Sequence, residues 1–184
     1  MKATGIVRRI DELGRVVIPK EIRRTLRIRE GDPLEIFVDR EGGVILKKYS
    51  PIGELGEYAR EFAEALHQSV GHIAAICDKD VVIAVSGAGK KELQDRPIHE
   101  EIERIMQNRI KVCANTSAGE ALLPITTDGS EESYTAQIII PIISSGDPIG
   151  AVMLLSKEQG IKFDHTEIKV CETAAGFMGK QMEN

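Results

Sequence analysis

The sequence predicts an α+β protein in two parts, a small strand-rich unit over residues 1–50 and a larger domain over residues 51–184. Three observations carry this. Charge divides the chain: residues 1–50 hold 12 Lys+Arg against 8 Asp+Glu, net +4, and residues 51–184 hold 12 against 21, net −9. A basic end on a chain of net charge −5 points to a polyanionic partner. Short apolar runs broken by Gly, Asp and Pro fill the first part. In the second, two segments with apolar residues at helical spacing flank a series of alternating runs, the pattern of a sheet with helices laid on it.

Residues 3–10 and 16–19 read as short strands around the turn Asp11-Glu12-Leu13-Gly14-Arg15. Pro19 suits the first position of a helix, and residues 20–26 give about two turns with Ile22 and Leu26 on one face. Gly31-Asp32-Pro33 ends that helix. Residues 34–38 and 44–46 then form a hairpin across Glu41-Gly42-Gly43. Four short strands and one short helix bury too little surface to stand alone, and no metal or disulfide is available to help, so oligomerisation is the expected stabiliser.

Ser50 and Pro51 can open a linking helix over residues 51–71. Its Ile52, Leu55, Ala59, Phe62 and Leu66 recur at spacings of 3, 4, 3 and 4, a heptad seam. Strands are expected at 72–77, 81–86, 110–114 and 121–125, with a helix near 97–107 that turns Ile98, Ile102, Ile105 and Met106 inward. Residues 128–133 read as an acidic loop. A hairpin over 136–143 and 149–155 crosses Ser145-Gly146-Asp147-Pro148. The last helix starts at Asp164, with Glu167 three residues on as a capping box, and its Ile168, Cys171, Ala175, Met178 and Met182 repeat the seam.

Several chemistries lose support. No apolar run of membrane-spanning length occurs, and the N-terminus lacks a signal region, so a cytoplasmic protein with no membrane partner is expected. Cys77, Cys113 and Cys171 are scattered in apolar segments, as inert thiols are, and His67, His72, His99 and His165 have no metal spacing. No metal site or catalytic constellation emerges, and the chain is not expected to be an enzyme. Ser86-Gly87-Ala88-Gly89-Lys90-Lys91 fails both nucleotide-loop patterns and reads as a turn after a strand.

The informative stretch runs from Asp11 to Leu26 ahead of Gly31-Asp32-Pro33-Leu34-Glu35-Ile36. Arg8, Arg9, Arg15, Arg23 and Arg24 cluster in and around it. A lone arginine is ordinarily a solvated charge; a cluster interleaved with Asp11, Glu12 and Glu21 is placed, and suits a phosphate array or the edge of a guanine. The stretch resembles the swapped-hairpin DNA-binding domain of the AbrB family, in which two chains exchange hairpins to make one β-barrel. Residues 51–184 resemble a GAF domain through Gly146-Asp147-Pro148-Ile149-Gly150-Ala151-Val152 and the terminal helices.

The resemblance implies a sequence-specific regulator of transcription, activator or repressor, acting on sporulation genes from the nucleoid. Its partners would be double-stranded DNA and further copies of itself: a homodimer through residues 1–50 and a homotetramer overall. Family DNA contacts map onto Arg8, Arg15, Arg23 and Arg24; Arg9 and Lys20 join them on charge alone. Ile52, Leu55, Ala59, Phe62, Leu66, Ile168, Ala175 and Met178 are the candidate oligomerisation residues. No known cofactor is implied. The GAF resemblance allows an unidentified small ligand, and the alternative is a closed apolar core that serves only to dimerise. A second reading, an antitoxin whose C-terminal part binds a protein, would want a flexible acidic arm; residues 72–184 instead read as folded.

Overall fold

The structure, a computed structural model, describes residues 5–50, 56–129 and 134–183. The chain divides into two compact units, Met1–Tyr49 and Ser50–Asn184.

The first unit contains helix α1 (Lys20–Thr25) and a hairpin of β1 (Leu34–Val38) and β2 (Val44–Lys48), paired from Leu34 with Lys48 to Val38 with Val44. Asp39 builds the turn: its Oδ1 accepts from the N–H of Glu41 at 3.0 Å and of Gly43 at 2.7 Å. A Cβ on Gly43 would lie 2.5 Å from Asp39 Oδ2, so the turn requires glycine there. The expected strands at 3–10 and 16–19 are not formed over the described residues 5–10 and 16–19, and residues 1–4 lie outside the described residues. A strand exists by pairing its N–H and C=O groups with another edge, and no described strand of this chain supplies that edge. Pro19 sits at the N-cap of α1, with ψ 146°, one place before the expected position.

The second unit is a five-stranded antiparallel sheet of order β4-β3-β7-β6-β5: β3 (Ile73–Cys77), β4 (Val82–Ser86), β5 (Val112–Asn115), β6 (Ala136–Ser144) and β7 (Asp147–Ser156). Helices α2 (Gly56–Val70) and α5 (His165–Gln181) cover one face; α3 (Lys90–Leu93) and α4 (Glu100–Gln107) contribute to the core of the other. Alternation in the central strands feeds both cores. Ile138, Ile140, Ile142, Val152 and Leu154 join the α2/α5 side, and Ile139, Ala151, Met153 and Leu155 the opposite side. Burial on both faces is why this hairpin reads as a continuous apolar run. Its turn is two residues, Ser145 (φ 49°) and Gly146 (φ 88°), the left-handed pair that matches strand twist.

Three expectations shift. Residues 121–125 form no strand: the Gln137 amide, oriented to pair, donates to the Leu123 carbonyl at 3.1 Å and accepts from its N–H at 2.6 Å, so a buried side chain substitutes for a neighbouring strand. Helix α4 begins at Glu100, capped by His99, because Ile98 is drawn into a bridge with Thr126. A short helix, α3, replaces the plain turn after β4, since Leu93 is pulled wholly into the core.

The largest correction concerns the two seams. Ala59, Leu66, Ala175 and Met178 are buried, Ile168 is partly so, and all pack in the first core against their own sheet. Those positions are spent within the chain, because both helices must cover the apolar face of a single sheet. Phe62 is only half-buried; Ile52, Leu55 and the predicted helix start at Pro51 lie outside the described residues, as do residues 130–133 of the acidic loop. The Asp164–Glu167 capping box forms as expected, with Asp164 Oδ1 accepting from Thr166 N–H at 2.7 Å and Glu167 Oε2 from Asp164 N–H at 2.9 Å.

Helix α5 comes so close to β6 that a Cβ on Gly179 would lie 2.1 Å from the Ile143 carbonyl oxygen, whereas one on Gly176 meets open space. Gly179→Ala is therefore expected to destabilise by about 2 kcal/mol through overpacking. Gly176→Ala should stabilise by about 0.5–1 kcal/mol through the helix propensity of alanine. Thermal unfolding should move in opposite directions for the two variants.

Candidate nucleic-acid interface

The site is built from one turn and one short helix. Asp11 organises the turn, accepting at Oδ1 from the N–H of Leu13 at 3.0 Å and of Arg15 at 2.8 Å. Gly14, at φ 77°, lets the chain reverse, and Asp11 N–H closes the loop on the Arg15 carbonyl at 3.0 Å. Arg15 Nε then donates to Asp11 Oδ2 at 2.8 Å, while the Arg15 side chain stays largely in solvent. The backbone hydrogen bond from Arg15, with the guanidinium beside it, holds the Asp11 carboxyl below its ordinary value of 3.8. The carboxylate is thus charged at neutral pH. The turn is complete above that value and loosens as the pH falls below it.

Helix α1 presents the rest. Pro19, buried, sets its entry, and Glu21 in the first turn and Arg23 and Arg24 in the last complement the helix dipole. Arg24 and Lys20 are exposed, as are Arg8 and Arg9 ahead of the turn. Arg23 differs: it is half-buried, and its Nε is shielded from solvent with no hydrogen-bond partner. Lys48 is held inside the unit, donating to the Arg27 carbonyl at 2.8 Å and lying 3.5 Å from Asp32. The arrangement offers exposed guanidinium groups, that of Arg15 anchored by Asp11, which can take phosphate oxygens or two acceptors of a guanine edge. The positioning role of Asp11 was not foreseen in the sequence; the signal was present in an aspartate opening a turn four residues before an arginine.

The same unit buries almost nothing. Among its described residues only Pro19 is buried, while Val7 is 87% exposed, Leu13 74%, Val38 73% and Ile36 66%. Apolar exposure on this scale marks a surface meant to be covered.

Comparison with known proteins places both units. Residues 54–183 match the family model described as stage V sporulation protein T C-terminal, transcription factor. Residues 7–54 match one described as antidote-toxin recognition MazE, bacterial antitoxin. Stage V sporulation protein T of Bacillus subtilis (strain 168) is 57% identical over 183 residues, covering 100% of this chain and 99% of that protein. Transition state regulatory protein AbrB of the same organism is 71% identical over 51 residues, 28% of this chain and 52% of that protein. The second unit superposes on the PixJ GAF-domain of Thermosynechococcus elongatus with a TM-score of 0.57 at 14% identity, covering 74% of this chain and 89% of that one. At that identity the likeness shows the fold alone, which is that of a GAF domain.

Asp11→Ala leaves the charge of Arg15 in place and removes its anchor. Affinity for duplex DNA at fixed salt should fall about three- to tenfold through lost preorganisation. An equilibrium titration with unchanged affinity would show that the turn does not position Arg15.

Proposed function

The chain belongs to the stage V sporulation protein T family of transcription factors, and on that premise we propose how its units divide the work. It is a DNA-binding transcription regulator of sporulation, with an AbrB-type N-terminal domain and a GAF-fold C-terminal domain. Arg8, Arg15, Arg23 and Arg24 make the principal DNA contacts, with Arg9 and Lys20 adding positive charge along the phosphates. The anchored turn at Arg15 is the observation that supports this most directly. Arg23, half-buried, acts by a shorter reach than Arg15 or Arg24.

Two chains form one DNA-binding body. The support is the apolar residues over 6–46 left uncovered in one chain, together with segments 5–10 and 16–19 that lack strand partners. A second contact, between C-terminal units, joins two such pairs into a tetramer. It uses the outer faces of α2 and α5, where Tyr58, Phe62 and Phe177 form an aromatic cluster: Phe62 and Phe177 stack at 5.6 Å, and Tyr58 lies 5.7 Å from Phe62. Phe177 is 46% exposed beside an apolar groove of about 600 Å³ that also touches Leu66, Val170 and Ala174. Linked DNA-binding bodies raise the effective concentration at adjacent sites.

The chain acts by binding and not by catalysis. Cys77 and Cys171 are buried, with thiols pushed up to about 12 mainly by desolvation, which keeps them protonated and unreactive. No helix among the described residues is long and apolar enough to cross a membrane. As a regulator that binds DNA, the chain works in the cytoplasm, at the nucleoid. The match of residues 7–54 to an antitoxin model keeps a toxin-binding reading in view. The folded sheet of the second unit speaks against it, since that reading wants a disordered arm.

Arg15→Ala or Arg24→Ala should weaken specific binding by about 1–3 kcal/mol where the contact is to a base, or reduce the salt dependence where it is to phosphate. With about 6–8 phosphates engaged by a dimer, the log–log salt slope should be roughly −5 to −7. Gel shifts at stated salt test this, and unchanged affinity in both variants removes this region from the interface. Leu66 is internal to the chain, so the assembly contact is tested at Phe62→Glu and Phe177→Glu. Light scattering should report a fall from tetramer to dimer with far-UV circular dichroism kept; native mass in both folded variants rules out this face.

A further inference from the structure

The segment between β4 and α4 is held unlike the rest of the second unit. It leaves β4 through Gly87, at φ 100°, and ends at Asp95, at φ 62°, so both ends sit in the left-handed region. The backbone bonds of α3 close on the segment itself: Glu92 and Leu93 N–H donate to the Gly89 carbonyl, and Gln94 N–H to that of Lys90. At Asp95 the chain is tied to β4: Asp95 N–H donates to the Val82 carbonyl and Val82 N–H to the Arg96 carbonyl, both at 2.9 Å, and the Gln94 amide donates to the Ile83 carbonyl at 3.0 Å. Residues 87–93 are fastened mainly by side chains. Leu93, at 0% exposure, plugs the second core, and Glu92 reaches across to Lys157, just past the end of β7, and to Tyr134, just ahead of β6.

That reach is a three-way contact. Lys157 Nζ donates to both oxygens of Glu92 at 2.7 Å, the Tyr134 hydroxyl donates to Glu92 Oε2 at 3.4 Å, and the Lys157 ammonium stands 5.2 Å over the Tyr134 ring. The fit beneath is tight: a Cβ on Gly89 would lie 3.2 Å from the Tyr134 hydroxyl and 3.1 Å from Ile73 Cγ2. We propose that residues 87–93 are a lid on the second apolar core, latched by Glu92 to Lys157 and Tyr134, that swings between Gly87 and Asp95 while the sheet stays folded. Among the described residues the latch is polar and partly exposed, and Leu93 is the one buried side chain the segment would withdraw, so it opens at lower cost than the buried strands behind it. The device lets a change at this edge loosen one core of the C-terminal domain and leave the α2/α5 face intact.

The native cysteines report on this in the full chain. Cys77 is wholly buried in the second core with Leu93, Cys171 is buried in the first, and Cys113 is part-exposed at the first. Alkylation with N-ethylmaleimide, resolved by peptide mass spectrometry, gives each rate separately. Glu92→Gln and Lys157→Met should each raise the Cys77 rate about fivefold, from loss of a partly exposed ion pair, with Cys171 unchanged. The double variant should add little to either single one, because both break the same contact. Tyr134→Phe, which keeps the ring, should give a smaller rise. An unchanged Cys77 rate in both charge variants overturns the latch, and an equal rise at Cys77 and Cys171 overturns the lid by showing global opening.

Discussion

Residues that fold without a core need one from elsewhere, and the N-terminal unit is in that position. Pro19 is the one buried residue among those described there, against a row of exposed Val, Ile and Leu side chains from Ile6 to Leu46. Uncovered apolar surface on that scale costs more than a short helix and one hairpin can return. The unit has local order, because Asp11 and Asp39 hold two turns by side-chain hydrogen bonds. Among its described residues it lacks a buried apolar core. The arginines lie on the same turn and helix as this uncovered apolar surface.

The C-terminal unit is built on the opposite principle. Its sheet is buried on both faces, and the two cores share the central hairpin β6–β7. Buried amide side chains replace missing strands: Gln137 pairs with Leu123, while Asn115 accepts from Phe163 N–H at 2.7 Å and donates to its carbonyl at 3.3 Å. Such substitutes satisfy backbone groups that loops crossing a sheet edge would otherwise leave unpaired. The unit is self-sufficient, since both of its cores close within one chain.

Legibility in the sequence followed the range of the interaction. The hairpin β6–β7, the capping box at Asp164 and α1 were readable because periodicity, caps and turn residues are local. No strand forms within one chain at 5–10, 16–19 or 121–125, because apolar alternation states what a segment can pair with and not whether a partner is present. The heptad seams of α2 and α5 read as apolar, and their buried residues Ala59, Leu66, Ala175 and Met178 meet their own sheet, since a stripe does not say which surface it meets. The arginine cluster was visible as charge, but the carboxylate anchoring Arg15 was seen only as interleaved acid, because its role lies in the turn geometry.

The central claim, that the DNA-binding unit is completed by a second chain, is tested most directly by nuclear Overhauser contacts between methyl groups in full-length protein co-refolded from two differently labelled pools. The account predicts strong interchain contacts among Val7, Ile10, Val17, Leu26 and Ile36, residues left exposed in one chain. Interchain contacts absent at these residues, with every methyl contact confined to a single chain, would contradict it.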